Sequence, residues 1–89
     1  MKLFSLYLDD IVDDHWSYPV EMIEEDNLQQ ELSDLKQEIL NNQSEYTTLT
    51  DVEVVEVDEN GDPINYGIYH WLDESDAPDW MIHNWETSC

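Results

Sequence analysis

Between Glu24 and Glu45 the chain reads Glu-Glu-Asp-Asn-Leu-Gln-Gln-Glu-Leu-Ser-Asp-Leu-Lys-Gln-Glu-Ile-Leu-Asn-Asn-Gln-Ser-Glu. Leu28, Leu32, Leu35 and Ile39 recur at the spacing of one helical face, which predicts an amphipathic helix over about 27–43. Asp26, with Gln29 following it, is a candidate N-cap and capping box. At 100° per residue Glu31, Asp34 and Glu38 fall together on one flank of the apolar stripe, and Glu45 extends the line. The back face carries uncharged Gln29, Gln30, Ser33 and Gln37. A helix needing only solubility would mix Lys with Glu at i,i+4, which also stabilises it. Here Lys36 is the single base, so the negative charge is lined up.

The same bias runs through the whole chain. It carries 23 Asp or Glu against two Lys and no Arg, a formal net charge of −21 over 89 residues. Self-repulsion at this charge destabilises a compact state, so some gain must offset it. Binding to a phosphate backbone needs Lys and Arg to displace counterions, which excludes direct nucleic-acid binding. An anionic membrane surface is excluded for the same reason. The complementary partner is a basic surface.

Disorder is the alternative to any fold, because highly charged chains poor in large apolar residues stay unfolded. Leu, Ile, Val and Phe total 22 of 89 residues, above the marker of about one-fifth for disorder. Four Trp and five Tyr add large buriable surfaces. One folded domain over 1–89 follows from this length. Cys89 is the only cysteine, so no intrachain disulfide framework exists. The amino terminus lacks a basic region followed by a long apolar run, and no stretch reaches the length of a membrane span. The expected location is therefore the cytoplasm.

In chain order, Lys2–Leu8 reads as a strand, with Phe4, Leu6 and Leu8 on one side; a helix burying Phe4, Leu8, Ile11 and Val12 is the alternative. Asp9, Asp10, Asp13 and Asp14 form two acidic pairs, either one turn apart on a helix or in a loop. Pro19 breaks the chain, and Val20, Met22 and Ile23 lie off the leucine stripe, which implies a kink or short turn before the main helix. A β-hairpin is expected over about 51–71. Val52, Val54, Val55 and Val57 form one strand and Ile64, Tyr66, Ile68 and Tyr69 the other, with Asn60-Gly61 as a two-residue type I′ turn. That turn sets Val57 opposite Ile64, Val55 opposite Tyr66 and Glu53 opposite Ile68, the first two pairs covering the helix's leucines. Ser75 or Asp76 is placed to cap a short last helix holding Trp80, Met81, Ile82 and Trp85. The expected class is α+β: the hairpin, with the amino-terminal strand if it forms, packed on one main helix, and a short carboxy-terminal helix.

Chemistry-bearing motifs are sparse. Glu56–Gly61 follows the opening of an EF-hand loop, but the twelfth position is Gly67 rather than a bidentate Glu and the flanks read as strands. His15, His70, His83 and Cys89 are scattered without zinc spacing, so no metal or cofactor is expected. No phosphate loop or nucleophile elbow is present, and the chain reads as a non-enzyme with no catalytic residue. The tryptophans read as core, with one or two left as interface anchors.

Acids on a helix flank at steps of three and four rise about 4.5–6 Å each. One strand of B-form DNA offers a phosphate every 3.4 Å or so. A rigid acidic ridge at that spacing meets the Lys and Arg that track DNA. In size, acidity and lack of a catalytic motif the chain resembles the small DNA-mimic inhibitors of bacteriophages, which include antirestriction proteins, anti-CRISPR proteins and uracil-DNA glycosylase inhibitors. The likeness covers the whole chain in composition and rests on no motif. It implies a phage counter-defence protein in the host cytoplasm, acting as monomer or homodimer. Its partner would be a basic DNA-binding host protein: a restriction enzyme, a CRISPR effector or a DNA-repair enzyme. By that resemblance the phosphate stand-ins are Asp9, Asp10, Asp13, Asp14, Glu24, Glu25, Asp26, Glu31, Asp34 and Glu38. The alternative is an immunity protein or antitoxin that neutralises a basic toxin, with aromatic residues carrying more of the affinity.

Overall fold

The computed structural model describes residues 2–11, 16–17 and 22–88, the middle pair by backbone alone. Alternation places Phe4, Leu6 and Leu8 on one side of Leu3–Asp10, and that segment is strand β1, with all three side chains buried. Two short strands, β2 (Trp16–Ser17) and β3 (Ile23–Glu24), lie along one edge of β1. Its other edge pairs antiparallel with β4 (Leu49–Val57), and β5 (Pro63–His70) follows β4, giving the order β2-β1-β4-β5 with β3 beside β2 on β1. The expected turn around Met22 and Ile23 is in fact this strand pairing. Ile23 is buried opposite Phe4, and Met22 sits at φ 59°.

The leucine stripe forms helix α1, Leu28–Asn41, with Leu32, Leu35 and Ile39 buried. A 3-10 turn, Glu25–Asn27, precedes it, so the helix starts one residue beyond the expected cap. Asn27 is the N-cap residue and makes no side-chain cap hydrogen bond, and the Asp26–Gln29 capping box does not form. Helix α2, Asp79–Ser88, closes the chain. Neither expected cap serves it: Asp76 instead accepts from Trp71 Nε1 at 3.0 Å, and the Pro78 carbonyl takes the amides of Met81 and Ile82. Asn84 fixes α2 to the sheet, its Nδ2 donating to the carbonyls of Thr47 and Leu49 at 2.7 and 2.9 Å.

Both helices cover the same face. Phe4, Leu6, Leu8, Val52 and Val54 from the sheet join Leu32, Leu35 and Ile39 of α1, Met81 of α2 and Trp71 in one core cluster. The register follows from that cluster, since Leu6 pairs with Val54 and Leu8 with Val52.

The hairpin departs from its expected geometry. A type I′ turn needs φ > 0 at both central residues. Among the described non-glycine residues Met22 is the one at positive φ, so Asn60 does not meet that condition. Instead Gly61 donates to the Asp58 carbonyl at 3.0 Å and the Asp58 amide donates to the Asp62 carbonyl at 2.9 Å. This is a three-residue loop ending in Gly61 at φ 84°. The Asp58 carboxylate fastens it by accepting the amides of Asn60 and Asp62. Val57 therefore pairs with Pro63, while Glu56 pairs with Asn65, the one position where the expected register holds. A second irregularity around Gly67, at φ 63°, slides the strand further and sets Val54 opposite Tyr69 and Glu53 opposite His70. Val55, Val57, Ile64, Tyr66 and Ile68 consequently face away from α1, and the last three are exposed. They do not cover the leucines as the two-residue turn implied.

Candidate functional site

The acids of α1 have a definite outward direction. Lys36 lies on the other flank of the helix, its Nζ 5.1 Å from the Tyr69 ring centroid, 5.3 Å from that of Trp71 and 3.5 Å from Asp76 Oδ2. That flank faces β5 and the turn after it, so Glu31, Asp34 and Glu38 face the β1 side. Asp34 and Glu38 are exposed, Glu31 half-buried, and Gln30 donates to Asp34 at 2.8 Å. Glu24, Glu25 and Asp26 are exposed just before α1, beside the Leu3 end of β1. The 14-residue helix, about 21 Å long, then runs toward the opposite end, where Ile11 donates to the Thr48 carbonyl. The six acids from Glu24 to Glu38 thus follow one another along consecutive elements, β3, the 3-10 turn and α1.

Asp9 and Asp10 end β1 and are both half-buried. Asp10 accepts from the Thr48 hydroxyl. Asp9 lies on the opposite sheet face from α1 and joins a different group. Asp13 and Asp14 lie outside the described residues.

That opposite face holds a constellation the sequence did not reveal. Asp51 is 1% exposed and Glu53 is 5% exposed, both on β4 and on the face bearing Asp9 and His70. Asp51 accepts the backbone amides of Val52 at 2.8 Å and Leu72 at 3.1 Å, and its Oδ2 lies 2.9 Å from His70 Nδ1. A carboxylate only accepts, so this contact places the imidazole proton on Nδ1. Burial pushes the Asp51 carboxyl above its ordinary range, while His70 and the two amides oppose the shift. One ligand atom from each of Asp9, Glu53 and His70 lies within 4.8 Å of the other two.

A strand position beside Trp71 predicts a core-edge histidine at His70, and it is half-buried beside buried Trp71. Its two acidic neighbours arrive by strand pairing. The signal that would have found them is the slip at Gly67, which replaces Ile68 by His70 opposite Glu53. Of the tryptophans, Trp71 is buried, Trp80 half-buried and Trp85 is 45% exposed. Trp85 lines a small recess with Asp9, Asp10 and Ile11. No described helix is long and apolar enough to cross a membrane. Compared with known proteins, the chain matches no family model, no curated protein and no solved structure.

Proposed function

We propose that this protein is a DNA mimic: a phage counter-defence inhibitor that occupies the basic DNA-binding surface of a host enzyme, of the antirestriction or anti-CRISPR kind. The observation that carries this reading is the one-sided charge of α1. Glu31, Asp34 and Glu38 line one flank, while the only lysine of the helix is folded over Tyr69 and Trp71 on the other. A formal charge of −21 supplies long-range steering toward a basic groove. The longest dimension, 36 Å, is close to the 34–36 Å or so of one turn of B-form DNA. The described ridge runs from Glu24 to Glu38 and excludes Asp9, which is drawn into the cluster on the other face.

One feature favours the runner-up, an antitoxin for a basic toxin. Ile64, Tyr66 and Ile68 are 59%, 60% and 43% exposed on edge strand β5, a surface suited to apolar anchoring rather than phosphate imitation. Affinity capture from nuclease-treated host lysate, eluted with duplex DNA, separates the two readings. Release of a nucleic-acid enzyme by DNA, lost when Glu31, Asp34 and Glu38 are reversed to Lys, is the outcome expected of a mimic. A partner that DNA leaves in place, and that is lost on changing Tyr66 to Ser, would replace mimicry with the toxin-type interface.

A further inference from the structure

We propose that strand β5 is a docking edge for a partner protein, accepting one extended segment that is apolar at alternate positions and carries Lys or Arg at both ends. β5 closes the strand order, so its second edge has no strand partner among the described residues. It also opens the longest acid-free run of the chain, the ten residues 63–72. Ile64, Tyr66 and Ile68 stand at alternate positions on the face away from α1. Ile64 and Tyr66 are the most exposed large apolar side chains among the described residues. The outward residues of the neighbouring strand, Val55 and Val57, are apolar too. A strand laid along β5 sets its own alternate side chains beside these three, so main-chain pairing supplies affinity and side-chain contact supplies selectivity.

Sheet edges are ordinarily protected by charges, prolines and bulges. β5 carries no charged residue other than what His70 gains on protonation. Pro63 is its first residue, where it removes no interior donor. The irregularity around Gly67 limits the paired run to a few residues, so Ile64, Tyr66 and Ile68 carry much of the contact.

Charge decides the occupant. Exposed acids stand at both ends of the strand: Glu59 and Asp62 in the hairpin loop, and Asp73 and Glu74 at the end of the 3-10 turn that follows His70. They bracket a strand about 26 Å long. A second copy fits badly. Antiparallel pairing of β5 with itself brings Glu59 and Asp62 of one chain against Asp73 and Glu74 of the other, and parallel pairing sets each acidic pair against its own copy. Either arrangement adds local like-charge repulsion to that between two chains of net charge −21. A segment with basic ends meets attraction at both. None of the α1 acids takes part, so the contact is independent of phosphate imitation.

The test titrates the isotopically labelled full chain with a synthetic peptide of alternating Thr and Ile, about eight residues long, with a Lys pair at each end. Amide NMR shifts should begin on Ile64, Tyr66 and Ile68. The same core with Glu pairs should give no shift, and a Ser-Thr core with Lys pairs should bind at least tenfold more weakly. Ile64→Thr together with Ile68→Thr should weaken the Lys-ended peptide at least tenfold, since Thr keeps the β-branched shape and removes the apolar surface. Asp62→Asn with Asp73→Asn should weaken it severalfold at low salt and less at high salt. Shifts that begin on Glu31, Asp34 and Glu38, or equal binding of the polar core, would reduce the effect to general attraction and overturn the proposal. So would a dimer in sedimentation that Ile64→Thr with Ile68→Thr dissociates, because the strip would then belong to a second copy.

Discussion

Lys36 shows how one residue is placed by a whole neighbourhood. Its ammonium lies over the Tyr69 and Trp71 rings and near Asp76, so the positive charge is used inside the fold rather than displayed. Burial works to lower its pKa, but Tyr69 and Asp76 outweigh burial and hold it above the ordinary 10.5. Burial likewise raises the Tyr69 phenol above 10.0, with Lys36 opposing and Glu74 and Asp76 adding to the rise. Both groups therefore bind their protons more tightly folded than unfolded. Their contribution to stability is complete below the unfolded values and is lost as pH rises through the folded ones. From neutral pH upward, urea unfolding should give a level free energy to about pH 9.5 and a falling one beyond about pH 10. The Tyr69 hydroxyl is buried without a hydrogen-bond partner among the described residues, so Tyr69→Phe should cost little at neutral pH. The same change should flatten the alkaline fall, because it removes one raised group and the main cause of the other. An alkaline limb unchanged in Tyr69→Phe would place the loss on other tyrosines.

At the scale of elements, the strand–helix–hairpin–helix order was readable because each element carries its own periodicity. The leucines of α1, the Phe4–Leu6–Leu8 alternation and the valines of β4 are local patterns that burial reinforces. What could not be read was how elements meet. Asn60-Gly61 marks a turn, but Asp58 captures the amides of Asn60 and Asp62 and makes the loop longer than the pair alone implies. The Asp51–His70 contact was equally hidden. Asp51 looks like an ordinary strand-flanking acid until the bulge in its pairing with the neighbouring strand β5 sets the register. Six of the ten candidate acids lie on or just before α1, and the three on the helix, Glu31, Asp34 and Glu38, follow its periodicity and were legible. The outer-face cluster depends on Gly67 and was not. This gives the bulge a test of its own. A compatible Gly→Ala change stabilises by about 0.4–1 kcal/mol through the unfolded chain. At Gly67 the positive φ and the imidazole behind it should reverse that sign, and Gly67→Ala should destabilise by about 1–3 kcal/mol in urea titration. A stabilised variant would mean that the strand regains ordinary pairing without the bulge and that the bulge does not define the register.

For the molecule as a whole, −21 charges confined to dimensions of 36 × 24 × 22 Å make self-repulsion a property of the entire fold. The screening length is about 30 Å at 0.01 M salt, close to the long dimension, and about 8 Å at 0.15 M, which leaves only neighbouring acids on one helix flank, about 5–6 Å apart, within reach of one another. Raising salt across that range should therefore stabilise the folded state, because the unfolded chain spreads the same charges further apart. Binding to a basic groove should respond with the opposite sign, since the attraction that steers the encounter is screened by the same ions. The pair of slopes separates two uses of acidity. Glu31→Gln, Asp34→Asn and Glu38→Gln together remove three adjacent charges without adding apolar surface. In a mimic this variant should melt higher than the parent at low salt, show a shallower rise with salt, and lose affinity for its partner. The three acids would then be held at a cost to stability because binding needs them. Should the variant melt lower at low salt, the flank would be stabilising the fold through local contacts such as Gln30 to Asp34, and the alignment of charge along α1 would have a structural cause.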